Sequence, residues 1–389
     1  MTLGLLFVVL VMGVVVAGAN YLALGKNRVA PGEKQAVKSE ITINDDKPVE
    51  YLVEEVARGL FVPWDIEFTG PNRFLVTERD GKIRGVDGGK LIEEPLLKLA
   101  EVTAENEAGL MGMALDPNYI VNRKVYVCLA HRSGSGLVDQ VLALVDRGEN
   151  MERLGVAIDN IPSANFHAGC RIAFGPDRKL YVTTGDGGQK NLAQDMKSLA
   201  GKILRINSDG SIPGDNPLLD SPVYSYGHRN PQGMAWLTNG TMWETEHGPS
   251  GFDGPGGGDE VNLIEPGKNY GWPVVSHKES APGMIDPILE FTPAEAPAAL
   301  LVYSGKVFPQ FRGNLLFGAL KGEGIIRVKL DETGKKVEFF EKLAGLDVGR
   351  IREVVEGPEG YIYFTTSNRD GRGTLRQGDD KVYRLVPKE

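Results

Sequence analysis

One loop-rich window, residues 227–262, collects side chains that suit an anionic ligand held together with a hard metal ion. Its motifs are Gly227-His228-Arg229-Asn230-Pro231-Gln232-Gly233, Glu246-His247-Gly248-Pro249 and Asp259-Glu260-Val261-Asn262. The guanidinium of Arg229 can stabilise negative charge that develops on an oxygen, and Asn230 adds an amide beside it. Glu260, Asp259 and the carbonyls of the Gly248-Pro249 corner offer only oxygen ligands, which suit Ca²⁺ better than zinc or copper. The alternative is a structural loop in which the arginine bonds backbone carbonyls.

A histidine on a loop is the candidate proton acceptor. His167 lies in Asn165-Phe166-His167-Ala168-Gly169, just before a segment that resembles a β-hairpin. A neutral imidazole is a natural general base near pH 7. Asp186 ends the same hairpin, so we expect it near His167 and include it among the catalytic candidates. The alternative is that His167 is an ordinary polar surface residue.

Three further cationic residues form a second group. Lys321 lies in Leu320-Lys321-Gly322, and Arg350 and Arg352 flank Ile351. The i, i+2 spacing of Arg350 and Arg352 places both guanidinium groups on one face of a strand, where they repel each other unless an anion lies between them. A bound polycarboxylate or phosphate would satisfy this arrangement, whereas a solvated charged face is the alternative.

Several other kinds of site are not indicated by the sequence. It contains neither a serine nucleophile elbow nor an HExxH motif. The glycine run at 256–258 neither follows a strand nor opens a helix, so it does not fit a dinucleotide-binding loop. Two cysteines, Cys128 and Cys170, are too few for a disulfide framework or a zinc site. We expect two small buried residues in neighbouring repeats, with a single bridge as the alternative.

A six-fold repeat supplies the scaffold that positions these residues. Each repeat has alternating apolar residues, a turn and a β-rich run. The repeats are residues 64–86, 112–131, 171–188, 233–249, 308–330 and 352–371, with turn prolines at Pro71, Pro117, Pro176 and Pro358. No segment shows a sustained helical stripe. The pattern predicts an all-β fold, a six-bladed β-propeller of four-stranded antiparallel blades over residues 49–389, with the site where blade loops converge.

Composition and the N-terminal residues indicate which partners and which cellular compartment suit this domain. The chain has 389 residues, of which 50 are glycine and 23 proline, and a formal net charge of −9. The acidic balance argues against a nucleic-acid partner. Residues 1–25 are apolar and predict a cleaved signal peptide or a retained membrane anchor, and residues 26–48 predict a polar tether. Both readings place the propeller outside the cytoplasm, secreted or anchored facing outward.

The chain resembles the soluble aldose sugar dehydrogenases that use pyrroloquinoline quinone, the glucose/sorbosone dehydrogenase family. The resemblance covers residues 50–387. It rests on motifs found in one order: Pro63-Trp64-Asp65-Ile66, residues 76–81, Gly109-Leu110-Met111-Gly112, residues 167–171, Gly185-Asp186, residues 227–233, residues 246–249, residues 259–262 and Tyr270-Gly271-Trp272-Pro273.

The resemblance implies a role for each matching position. His167 would take the proton of the sugar's anomeric hydroxyl as hydride passes from C1 to the quinone, and Arg229 would polarise the quinone oxygen. The cofactor would be held by Asn230, Lys321, Arg350 and Arg352 together with His167, Arg229 and Glu107. The carbonyls of Gly248 and Pro249 would ligate a Ca²⁺ that bridges to the cofactor. Glu260 and the backbone of Tyr270 would bind a second Ca²⁺.

Three positions depart from the family pattern. Glu107 replaces the glutamine of members with strong glucose activity, Phe166 replaces an aspartate of some members, and Cys170 replaces a glycine. These departures lie on the substrate side and favour a wider, less selective aldose site. The expected partners are an aldose sugar and an external electron acceptor, and we expect a monomer or dimer. The alternative functions are a non-enzymatic binding propeller and a Ca²⁺-dependent sugar lactonase.

Overall fold

Six antiparallel sheets form a ring in the part of the chain that the computed structural model describes, residues 49–134 and 136–388. The predicted six-bladed propeller is confirmed. The expected signal or anchor segment, residues 1–25, and the expected tether, residues 26–48, lie outside the described residues.

The blades have these strands. Strand β1 covers Tyr51–Arg58. Blade 1 contains β2 (Pro63–Gly70), β3 (Arg73–Glu78), β4 (Lys82–Asp87), β5 (Lys90–Leu91) and β6 (Leu97–Lys98). Blade 2 contains β7 (Leu110–Leu115), β8 (Lys124–Ser133), β9 (Gly136–Asp146) and β10 (Met151–Pro162). Blade 3 contains β11 (Ile172–Phe174), β12 (Leu180–Thr184), β13 (Lys202–Ile206) and β14 (Val223–Tyr226).

The second half of the ring has the same plan. Blade 4 contains β15 (Pro231–Trp236), β16 (Met242–Glu246), β17 (Asp259–Ile264) and β18 (Leu289–Phe291). Blade 5 contains β19 (Pro297–Val302), β20 (Leu315–Ala319), β21 (Gly324–Leu330) and β22 (Val337–Lys342). Blade 6 contains β23 (Ile351–Glu356), β24 (Ile362–Thr366) and β25 (Lys381–Pro387), and β1 completes it by pairing with β25.

Helices are minor among the described residues. They are the α-helix α1 (Tyr119–Asn122) and two 3₁₀ turns at Lys190–Ala193 and Pro309–Phe311. Within residues 49–134 and 136–388, no helix has the length and apolar character needed to cross a bilayer.

The predicted repeats match the blades with one exception. The four turn prolines lie between the first and second strands of blades 1, 2, 3 and 6. The segment 308–330, however, covers β20 and β21 rather than the first hairpin of blade 5, so β19 was missed. The reason is that β19 is a short apolar run, Pro297-Ala-Ala-Leu-Leu-Val, with no alternation, and a 3₁₀ turn replaces the proline-acidic turn after it.

The hydrophobic core is divided into clusters that each lie between two adjacent blades. Leu75 of blade 1 packs with Val127 of blade 2, for example, and Phe317 of blade 5 packs with Trp243 of blade 4. Such clusters fill every blade interface of the described ring. Each blade is therefore stabilised by burying both faces of its sheet against its neighbours.

A disulfide joins blades 2 and 3. Cys128 on β8 is bonded to Cys170, which lies just before β11. The expectation of two unpaired buried cysteines was therefore wrong, and the alternative of a single bridge is correct. Spacing alone did not reveal the pairing because the ring places these two strands side by side across 42 residues of sequence.

Removal of this bridge is expected to destabilise the protein substantially. Closing a loop of 42 residues lowers the entropy of the unfolded chain, so Cys128→Ala/Cys170→Ala should lose roughly 4 kcal/mol of unfolding free energy. Guanidinium denaturation followed by tryptophan fluorescence measures the loss. The wild-type protein denatured after full reduction is the matched control, and it should fall to the same midpoint. A double variant that keeps the oxidised wild-type midpoint would contradict the expectation.

An arginine crosses the middle of the ring below the converging loops. Arg171 donates through Nη1 to Asp65 of blade 1 at 2.6 Å and to Glu353 of blade 6 at 2.7 Å. Its Nε donates to the carbonyl of Gln232 at 3.2 Å, and its guanidinium lies 4.4 Å from the ring centroid of Trp64. This network fixes the floor on which the site is built.

The buried carboxyls of this network predict a pH dependence of stability. Burial raises the pKa of Glu353 to about 8 despite Arg171, and burial raises the pKa of Asp65 to about 6. Because these folded-state values lie above the unfolded ones, their contribution is present at low pH and is lost as pH rises through about 6 to 8. We expect Glu353→Gln, which mimics the protonated form, to flatten the decline of the unfolding midpoint between the ordinary carboxyl pKa and about 8. An equal decline in both proteins would contradict this.

Candidate active site

A cavity of about 580 Å³ lies on one face of the ring. It is lined by loops of blades 2 to 6 and by Trp64 on β2 of blade 1. This is the face expected from the sequence, where the loops of the blades converge. The loops on this face follow the second strand of a blade or precede its first strand. Eight of the residues predicted from the sequence line this cavity: Glu107, His167, Arg229, Gly248, Pro249, Lys321, Arg350 and Arg352. The other four, Asp186, Asn230, Glu260 and Tyr270, lie behind its walls.

His167 is held in place by contacts on both its ring and its backbone. Its Nδ1 lies 2.7 Å from Oδ1 of Asp186, and its backbone N–H donates to Glu107 at 2.9 Å. Asp186 is itself fixed by the indole N–H of Trp272 at 2.8 Å. Because Asp186 accepts the Nδ1 proton, Nε2 of a neutral His167 carries the lone pair. Asp186 is thus an orienting residue beneath His167 rather than a wall of the cavity.

Close backbone packing also sets the position of His167. A Cβ added to Gly185 would lie 1.7 Å from the carbonyl oxygen of His167, so only glycine allows this approach. We expect Gly185→Ala to displace the imidazole and to lower activity by about 100-fold or more, an effect like that of a misplaced catalytic group. Gly155→Ala is the matched control, since a Cβ there meets no atom within 4 Å. A Gly185→Ala protein with wild-type turnover of its substrate would contradict the expectation.

Arg229 and Asn230 lie side by side at the entrance to blade 4. Arg229 is buried, and its guanidinium donates to Asp253 at 2.7 Å, to the carbonyl of His247 at 3.0 Å and to the hydroxyl of Ser250 at 3.2 Å. Asn230 accepts from the backbone N–H of Gly169 at 3.1 Å, while its Nδ2 is buried and has no partner in the described residues. Such an unsatisfied donor beside the cavity fits contact with a polar ligand.

The cationic wall comes from blades 5 and 6. Arg350 pairs with Asp370 at 2.8 Å and donates to the carbonyl of Leu320. Among the described residues, the side-chain hydrogen bonds of Arg352 are long, to Ser367 at 3.5 Å and to Gln232 at 3.4 Å, and burial lowers its pKa to about 10. Lys321 has no carboxylate partner in the described part of the chain. Arg352 is thus a buried, weakly compensated cation, which is costly, and Lys321 is an exposed charge beside it. This wall is therefore suited to a bound polyanion.

Glu107 joins two loops across the cavity. One carboxylate oxygen accepts from the His167 backbone, and the other lies 2.9 Å from Nη1 of Arg372. Burial alone would raise the pKa of Glu107, but nearby positive charges and these hydrogen bonds lower it to about 2. Glu107 is therefore an ionised residue of the wall.

A group of buried carboxylates lies behind Gly248 and Pro249. The amide of Asn262 donates to Glu244 at 3.2 Å, to Glu246 at 3.2 Å and to Glu260 at 3.0 Å. Oε1 of Glu244 has no partner among the described residues. Burial and the neighbouring Glu246 raise the pKa of both Glu244 and Glu260 well above the usual range.

The donor atoms of this group fit a divalent cation. Ligand atoms of His228, Glu244 and Glu246 lie within 4.8 Å of one another. A small cavity of about 10 Å³ is lined by Glu246, Gly248, Pro249, Glu260 and Tyr270, which includes all four predicted metal ligands. Apart from the His228 nitrogen, these ligands are oxygens, which suit Ca²⁺. Asp259, considered with them, instead accepts from the backbone N–H groups of Gly248, Glu295 and Ala296 and so holds the loop.

Six residues of the site were given no role from the sequence, although Trp64, Gln232 and Glu246 lie within the quoted motifs. They are Trp64, Gln232, Glu244, Glu246, Phe252 and Arg372. The Glu244-Thr-Glu246 spacing was a usable signal, since i and i+2 in a strand share one face. Nothing in the sequence indicated that Arg372, in the β24–β25 loop, reaches blade 2.

A model of the family described as Glucose / Sorbosone dehydrogenase matches residues 60–377. The chain belongs to the glucose/sorbosone dehydrogenase family. This confirms the resemblance found in the motifs, and the chain is a member of a family of sugar dehydrogenases.

Three known members of the glucose/sorbosone dehydrogenase family give the degree of likeness. The solved structure of an aldose sugar dehydrogenase from Streptomyces coelicolor, in its PQQ-bound form, is 33% identical with a TM-score of 0.78, covering 88% of this chain and 99% of that one. The aldose sugar dehydrogenase YliI of Escherichia coli strain K12 is 29% identical, over 83% of this chain and 92% of its own length. Quinoprotein glucose dehydrogenase B of Acinetobacter calcoaceticus is 26% identical over 91% of each chain.

Proposed function

We propose that this protein oxidises the anomeric C1 hydroxyl of aldose sugars to lactones, using pyrroloquinoline quinone together with Ca²⁺. The observation that carries the proposal is the cavity with a carboxylate-oriented imidazole, His167, on one wall and the cations Lys321, Arg350 and Arg352 on another. Family membership and the similarity to a PQQ-bound aldose sugar dehydrogenase support it.

The cationic wall and its neighbours would hold the quinone. Lys321, Arg350 and Arg352 offer charges that match its carboxylates, and Asn230 offers a buried unpaired donor. Arg229, with two guanidinium nitrogens on neutral partners, would face an oxygen on which negative charge develops. When bound, the quinone supplies the two-electron acceptor that receives the hydride of C1.

The chain's own contribution to the reaction is proton removal and orientation. Nε2 of His167 would accept the proton of the anomeric hydroxyl while the C1–O bond gains carbonyl character. Asp186, on the opposite ring nitrogen, would stabilise the imidazolium that forms and keep the ring in one orientation. An external electron acceptor would then reoxidise the cofactor.

Two Ca²⁺ positions are part of the proposal. The carbonyls of Gly248 and Pro249, which line both cavities, would hold the ion beside the cofactor. Glu260 and Tyr270, with the carboxylates of Glu244 and Glu246, would hold a second ion behind them.

We also propose that the protein works outside the cytoplasm. The Cys128–Cys170 bridge supports this, because disulfides persist mainly in oxidising compartments.

The test is reconstitution of the full chain, produced without the quinone. Dye reduction is assayed with a panel of aldoses after adding quinone, Ca²⁺, both or neither, and the lactone is measured by chromatography. Activity is expected only with both additions. A protein that neither reduces the dye nor quenches its tryptophan fluorescence on quinone addition would rule out the proposal and favour a non-enzymatic propeller.

A further inference from the structure

Phe252 is an apolar side chain held in an exposed position on the cavity wall. Its side chain is 67% exposed, and it belongs to none of the hydrophobic clusters of the described blades. It lines the cavity, and its ring stacks on the imidazole of His167 with 5.8 Å between centroids and 24° between planes. Single exposed apolar residues are common on protein surfaces. Phe252 differs from them because it lines the cavity and contacts the candidate base, which indicates a binding role.

A second aromatic ring completes a wall around His167. Phe166 lies edge-on to the imidazole at 5.0 Å and edge-on to Phe252 at 5.6 Å. Two aromatic rings therefore flank the candidate base in the cavity. Lys321, Arg350 and Arg352 of the cavity wall come from blades 5 and 6, and Arg229 comes from the entrance to blade 4, whereas His167 and Phe166 come from the entrance to blade 3.

The loop that carries Phe252 is fixed to the site by its next residue. Asp253 accepts from Nε of Arg229 at 2.7 Å and from the backbone N–H of Ser250 at 2.9 Å. At the end of the loop, Gly257 donates to the carbonyl of Pro249 at 3.1 Å. These contacts hold Phe252 over His167 without an apolar core beneath it.

We propose that Phe252 contacts the substrate and determines specificity, its ring packing against the C–H face of the aldose whose anomeric hydroxyl lies at His167. This inference rests on the proposed function and adds where the sugar lies. A pyranose with equatorial hydroxyls presents an apolar face of axial C–H groups, which a flat aromatic ring covers. An axial hydroxyl places a polar group on one face and weakens that packing. The ring also excludes water from the base.

Steady-state kinetics and quinone titration of variants test the proposal. With Phe252→Ala, the KM for glucose should rise about five- to tenfold, the range expected for loss of an aromatic contact. The ratio of kcat/KM for glucose over galactose, its epimer with an axial hydroxyl, should fall towards one. The midpoint of quinone binding, followed by quenching of tryptophan fluorescence, should stay within about twofold, since the cationic wall is intact. Phe252→Tyr, which keeps the ring, should retain wild-type KM and selectivity.

Phe340→Ala is the matched control, because Phe340 is partly exposed on β22 and packs against Phe291 away from the cavity. Its kinetics should be those of the wild type. Unchanged KM and selectivity in Phe252→Ala would overturn the inference, and so would a loss of quinone affinity, which would place the ring on the cofactor. A wild-type protein without aldose oxidation would instead refute the proposed function itself.

Discussion

His167→Ala is expected to lower kcat for aldose oxidation about 10³-fold, within the range that general-base catalysis contributes. The physical reason is the loss of the only imidazole in the described cavity whose Nδ1 donates to a buried carboxylate, the Asp186 pair at 2.7 Å. The measurement is steady-state dye reduction by the protein loaded with quinone and Ca²⁺. Quinone affinity, measured by fluorescence quenching, should change far less than kcat.

Two comparisons separate a base from a structural histidine. Asp186→Asn should lower kcat about 10- to 100-fold, because the amide has no negative charge to stabilise the imidazolium and only one oxygen to accept from both His167 and Trp272. His131→Ala is the matched control, since His131 also pairs with an aspartate, Asp159 at 3.3 Å, but on blade 2 away from the cavity. If His167→Ala lowered kcat by less than tenfold, His167 would be excluded as the base.

The fold was predictable because a propeller repeats one local pattern. A hairpin with an alternating strand and a proline turn is encoded within about 15 residues, so five of the six repeats were located at the correct strands. Strand β19 was not predicted because it is apolar along its whole length and so has no alternation of apolar and polar residues. The disulfide was not predicted because β8 and the loop before β11 come into contact only in the folded ring.

The candidate site was predictable where a residue lies in a distinctive motif. It was not predictable where closure of the ring brings together residues that are distant in sequence. His167, Arg229 and the Gly248-Pro249 corner lie in local sequence contexts with unusual chemistry, and all of them line the cavity. Arg372 meets Glu107 across 265 residues of sequence, a contact with no local signal. Phe252 is a single aromatic in a glycine-rich loop, and only its stacking on His167 reveals its importance.

Ca²⁺ is expected to stabilise the protein strongly through the carboxylates behind the cavity. Glu244, Glu246 and Glu260 share the single amide of Asn262 and form no ion pair with lysine or arginine in the described residues. A divalent cation among them would favour the ionised form of these carboxyls and link them as ligands. An ion present at 1,000 times its Kd should add about 4 kcal/mol to the unfolding free energy. Thermal melts with added Ca²⁺ or with a chelator measure the effect.

Glu260→Gln should separate the ion's contribution from that of the surrounding packing. In Ca²⁺ the variant should melt below the wild type, because it lacks one charged ligand. In chelator it should be at least as stable as the wild type, because the neutral amide replaces a carboxyl whose ionised form burial and Glu246 disfavour. Glu94→Gln, at an exposed position, should follow the wild type in both conditions. If Ca²⁺ raised the melting temperature of Glu260→Gln as much as that of the wild type, the site would be contradicted. A general loss of stability would lower the melting temperature of the variant in both conditions, so it would not produce the expected reversal of order between Ca²⁺ and chelator.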